Sequence, residues 1–110
     1  MATNSTISPR VNWEFMQKFL NQRVTIAGEI LAVQDGTATI RTSDKHEVQV
    51  TLLPDTVIPT KYAEFVGLVV DSNHVTMERF GITSDDLDMT IVDRTVRVIH
   101  DPRFFSRIFS

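Results

Sequence analysis

The sequence has no cysteine among its 110 residues. Disulfides, thiolate metal sites and a cysteine nucleophile are therefore excluded, and a reducing compartment is compatible with that absence. No apolar run approaches the roughly 20 residues that a membrane-spanning helix needs. Residues 1–8 are polar and lack the apolar core of a secretory signal, so a short flexible leader is expected there. No run of lysine and arginine reads as a nuclear-import signal. Positive charge is scarce overall, with a formal net charge of −3. Phosphate contacts supply most of the affinity of non-specific nucleic-acid binding, and a stand-alone binder usually carries a basic footprint. An acidic chain is a poor candidate for the main binding surface of a nucleic-acid complex, although it can contribute to one. Glycine and proline number four each, against 42% hydrophobic and 23% charged residues, which excludes a disordered or collagen-like chain.

What is present reads as one domain large enough to bury a core without staples. Residues 12–20 carry a short helical signal: Asn12 can cap, and Phe15 with Phe19 and Met16 with Leu20 stand four apart, as on a helix face. The period then changes to two. Val24, Ile26, Gly28 and Ile30 share one face of a first strand over 23–33, and Gly28 marks a bend or bulge that lets one long strand serve two sheets. Asp35-Gly36 is a hairpin turn. A second strand follows over 37–42 and, after the turn Ser43-Asp44-Lys45, a third over 47–53, with Val48, Val50 and Leu52 inward. Pro54 and Pro59 interrupt the sheet. A nearly all-apolar fourth strand covers 65–71 and a fifth 74–82, where Val75, Met77 and Arg79 fall on one face. This pattern predicts an all-β domain, a five-stranded Greek-key barrel of the oligonucleotide/oligosaccharide-binding (OB) type with a helical plug, spanning 9–83. An SH3-like barrel is the competing architecture.

The last segment, 84–110, is expected to hold a helix and an apolar tail. Thr83 or Ser84 can cap the helix, the acidic residues Asp85, Asp86 and Asp88 suit its start, and Arg94, Arg97 and His100 suit its end. Pro102 stops it. At about 100° per residue, Leu87, Ile91 and Val98 form one apolar stripe; Met89, Val92, Val96 and Ile99 form a second. A helix lying on one barrel needs one stripe, so two stripes predict contact on two sides, one of them with a partner helix. The seven residues are candidate partner-interface residues. The tail, Phe104 to Phe109, adds apolar surface of the kind that marks interaction sites.

Other candidates are weaker. His46, His74 and His100 are scattered, without metal-ligand spacing, and the aspartates at 85, 86 and 88 lack the calcium-loop pattern. No nucleophile elbow or phosphate-cradling glycine loop is found, so the chain is not expected to be an enzyme or to hold a metal or cofactor. The face of strands two and three is the usual ligand surface of such barrels, and aromatic platforms there stack single-stranded bases. Between residues 37 and 53 there is no Phe, Trp or Tyr. Arg41 and Lys45 are the cations of that stretch, so they are the candidate residues for a weak nucleic-acid contact.

Three stretches together resemble one family. Ser8-Pro9-Arg10-Val11-Asn12, followed by Phe19, looks like its approach to the first helix. Val24-Thr25-Ile26-Ala27-Gly28-Glu29-Ile30 is similar to its first strand, and Leu87 to Asp101, ending Val96-Arg97-Val98-Ile99-His100-Asp101, to its terminal helix. The family is the smallest subunit of eukaryotic replication protein A, a heterotrimeric single-stranded DNA-binding protein. The resemblance implies an OB barrel and a terminal helix that joins one helix from each of the large and middle subunits in a three-helix bundle. It also implies a nuclear location, a role in DNA replication, repair and recombination, and a minor DNA contact made mainly through the complex. Neither a membrane nor a small-molecule substrate is expected. Two alternatives stay open: the small OB-fold subunit of a telomere-end-binding complex, and a stand-alone weak nucleic-acid-binding OB module.

Overall fold

Apolar residues alternate along the strands, and the computed structural model, which describes residues 8–101, turns them to one interior. The elements are β1 (Arg10–Val11), α1 (Trp13–Met16), β2 (Arg23–Gln34), β3 (Thr37–Thr42), β4 (Glu47–Thr51), β5 (Tyr62–Asp71), β6 (His74–Ser84) and α2 (Met89–Ile99). The strand order is β1-β2-β3-β4-β6-β5, and β5 pairs again with β2. The five long strands therefore form a closed ring. Closure requires β2 to pair on both edges. Gly28 does so, opposite Thr42 on β3 and Ala63 on β5. A Cβ at Gly28 would lie 2.8 Å from the Cβ of Ile40, so the missing side chain makes room for the Ile40 side chain from the neighbouring strand. The irregularity in the pairing falls beyond it, between Ile30 and Ala32. Val24, Ile26, Ile40, Val48, Val50, Phe65, Val69 and Val75 fill the interior with no exposed surface.

The hairpin at Asp35-Gly36 forms as expected, with φ of 54° and 77° at its two residues, the left-handed pair that a two-residue hairpin needs. Several expected boundaries move. A sixth, two-residue strand, β1, pairs parallel to β2 through Arg10↔Thr25 and Val11↔Ile26. The first helix is four residues, not nine. Asn12 caps it by accepting from the Phe15 N–H, and tighter bonds from Lys18 to Phe15 and from Phe19 to Met16 then turn the chain. β5 begins at Tyr62 and β6 runs to Ser84 because Tyr62↔Ser84 and Ala63↔Thr83 pair. β5 is not covered on both faces throughout: Val70 is 42% exposed. Residue 8 is not free leader, since its carbonyl accepts from the Thr25 hydroxyl at 3.2 Å. The rest of the expected leader, 1–7, and the tail Phe104 to Phe109 lie outside the described residues.

Candidate partner interface

Where the terminal helix begins is decided by the sheet. Thr83 and Ser84 belong to β6, and the helix begins too far beyond them for either to cap it. Asp85 instead accepts from the Lys61 N–H at 2.9 Å, tying the chain to the start of β5. Asp88 becomes the cap and accepts from the N–H groups of Thr90 and Ile91. The expected helix start at 84 is therefore corrected to Met89, and Leu87 lies outside the helix, half-buried.

One side of α2 is fixed to the chain's own barrel by a polar hub. Asp93 accepts from Asn12 Nδ2 at 2.9 Å, from Ser43 Oγ at 2.9 Å and from Arg97 Nε at 2.8 Å. Arg97 also donates to Glu14 at 3.1 Å. Asn12 is fully buried, and its orientation is forced: Oδ1 takes the Phe15 N–H, leaving Nδ2 for Asp93. Burial of the Asp93 carboxylate opposes its ionisation. Hydrogen bonds from Asn12, Arg97 and Ser43 outweigh that cost and hold its pKa below the ordinary aspartate value. At the far end of α2, the His100 ring stacks on Phe15 at 4.5 Å and meets the Arg10 carbonyl at 2.8 Å.

This anchoring separates the two apolar stripes. Val96 is 1% exposed, and Met89, Val92 and Ile99 are half-buried. Val96, expected at a partner interface, is thus a contact of the chain with itself. Its stripe is the one turned to the chain itself, on the side where α2 packs against β1. The other stripe faces out: Ile91 is 57% exposed and Val98 48%. An open depression beside Val98 is polar, lined by Thr90, Asp93, Arg94, Arg97 and Asp101.

The two expected nucleic-acid residues sit on β3 and in the β3–β4 turn. Lys45 sits exposed in the β3–β4 turn at φ 69°. Arg41 points outward from β3, and its guanidinium stands 3.6 Å from Oε1 of Glu29. The other oxygen of that carboxylate is 4.0 Å from Lys61 Nζ, and Lys61 in turn lies over the Tyr62 ring, 5.5 Å from its centre. Sequence reading found neither this group nor the Asp93 hub. Glu29, Arg41 and Tyr62 come from three strands and meet only through register; Asn12 and Asp93 are 81 positions apart. No local pattern signals either.

Residues 1–105 match the family model described as Replication factor A protein 3. No curated protein matches. Among solved structures, replication protein A of U. maydis bound to single-stranded DNA is similar at a TM-score of 0.82 and 25% identity, over 94% of this chain and 95% of that one. The telomere capping protein Ten1 of S. pombe is similar at a TM-score of 0.67 and 12% identity, over 83% of this chain and 95% of that one. The Stn1–Ten1 complex of S. pombe is similar at 0.66 and 12%, over 83% and 90%. At 12% identity the telomere structures share the fold.

Proposed function

Because the chain belongs to the Replication factor A protein 3 family, we propose that it is the small structural subunit of a replication protein A-type single-stranded DNA-binding heterotrimer. It holds the trimer together through a three-helix bundle with the large and middle subunits and works in the nucleus in DNA replication, repair and recombination. It is not an enzyme, and its own contact with single-stranded DNA is minor.

One observation carries the assembly reading. α2 is fixed to the barrel along one side, yet keeps Ile91 and Val98 about half exposed on the other. Burying a residue of this size stabilises by ~1.5–3 kcal/mol when it starts fully exposed, so each of these half-covered residues offers about half of that. Leu87, partly buried, extends the surface at its edge. The net charge of −3 and the lack of aromatics between 37 and 53 support a minor role in DNA contact.

The test is co-expression with the large and middle subunits of replication protein A. The double variant Ile91→Asp, Val98→Asp places two unpaired carboxylates where a partner helix would seat, a cost of several kcal/mol. It should lose stoichiometric co-purification while the isolated chain melts at the wild-type temperature, since both positions are exposed. Retained co-purification would exclude this face. Co-purification of the wild-type chain with telomere-capping subunits in place of the replication subunits would favour the telomere alternative.

A further inference from the structure

A cross-strand row on the outside of the barrel suggests how the minor DNA contact is made and limited. Directly paired residues of antiparallel strands point to the same face. Glu29 is paired with Arg41 on one side and with Tyr62 on the other, so the three side chains stand in one row across β3, β2 and β5. Lys61 joins them. Its backbone is held by Ile30 and Asp85 at 2.8 and 2.9 Å, and its ammonium leans over the Tyr62 ring. The row thus contains a partly buried aromatic ring with Lys61 over it, and two cations about half exposed, at 48% for Arg41 and 58% for Lys61. These are the parts of a single-strand contact, a stacking surface beside phosphate-binding charge.

Between the cations lies the Glu29 carboxylate, one oxygen toward each, at 3.6 and 4.0 Å. Both separations are long for charged hydrogen bonds, and exposed ion pairs of this kind are weak and exchangeable. We propose that the Arg41–Glu29–Tyr62 row with Lys61 is a single-stranded nucleic-acid contact in which Glu29 occupies the place of a phosphodiester and so keeps the affinity low. A phosphate entering the row displaces a carboxylate and meets its repulsion. Two further carboxylates bear on the row: Glu47, paired with Arg41 across β3 and β4, and Asp85 at the Lys61 backbone. They lower the affinity further but do not bridge the cations. The inference rests on the functional reading above and specifies the site of its minor contact.

The probe is a fluorescein-labelled oligothymidine titrated with the full chain over a range of salt concentrations and followed by anisotropy. Glu29→Gln keeps the side-chain shape and removes the competing charge. It should bind roughly three- to tenfold more tightly at low salt. The slope of log K against log salt should steepen by about 0.7, the value for one more neutralised phosphate on a single strand. Adding Arg41→Gln and Lys61→Gln to that variant should abolish both gains. Asp71→Asn, at the opposite end of β5 from Tyr62, removes the same net charge and should leave the slope unchanged. An unchanged slope in Glu29→Gln, or an equal gain in Asp71→Asn, would overturn the proposal. Thermal melting checks that each variant is folded. The co-purification test does not involve Glu29, so either result can fail while the other stands.

Discussion

Asn12 shows how much one buried polar side chain can hold. Its carbonyl oxygen caps α1, and its amide nitrogen reaches the Asp93 carboxylate on α2. Replacing it with alanine removes the cap, worth about 1 kcal/mol, and one of the three donors to a charged acceptor, worth about 1.5–3 kcal/mol. Asn12→Ala should therefore lower unfolding free energy by about 3 kcal/mol in a urea melt; a loss under 1 kcal/mol would mean that solvent replaces both bonds. Asp93 adds a pH signature. Its folded pKa is depressed, so the unfolded state takes up the proton first as pH falls. The stabilisation is fully present above the ordinary aspartate pKa of about 3.9 and is lost as pH drops through the lower, folded value. Asp93→Asn should be less stable than wild type at pH 7, and the gap should close below about pH 4. A gap that stays constant from pH 7 to pH 3 would show that the carboxylate's charge contributes nothing. The cap at Asn12 was legible as a local signal. The hub was not, because nothing in the sequence places residue 93 beside residue 12.

Elements differ in how far their own sequence determines them. The strands expected over 37–42 and 47–53 alternate so regularly that their inward residues are evident without the structure, although the second of them ends at Thr51. At the terminal helix, local chemistry offers several starts: Thr83, Ser84, Asp85, Asp86 and Asp88 all cap well. Sheet pairing chooses among them, because Tyr62 and Ala63 draw Ser84 and Thr83 into β6. Asp88 is the first residue beyond the strand whose carboxylate reaches two free helical N–H groups. Asp88→Ala should cost about 1 kcal/mol, whereas Thr83→Ala should cost nothing attributable to capping; helix content by circular dichroism and a thermal melt would separate the two. Periodicity places two apolar stripes on α2, without Leu87, but cannot say which of them the chain's own barrel covers. The Asp93 hub makes that choice: it pins the Val96 side inward and leaves Ile91 and Val98 outside.

For the whole molecule, the barrel was legible from strand number, turn residues and one mid-strand glycine. The short parallel strand β1 was not, since two residues carry no period. The same view indicates how the chain divides. The ring of β2, β3, β4, β6 and β5 closes without α2, and the core residues of every strand are buried against one another. α2 contributes Val96, three half-buried apolar neighbours and the Asp93 bonds to the end of that barrel. Removing it exposes apolar surface and also frees Asn12 and Ser43 to bond with water, so no buried polar group is stranded. These losses destabilise the chain, yet the core cluster of the ring contains no residue of α2. A chain ending at Leu87 should therefore melt cooperatively, at a temperature below that of the full chain, and fail to co-purify with partner subunits. A fragment that is soluble but melts without a cooperative transition would show that the terminal helix is part of the folding unit rather than an arm resting on it.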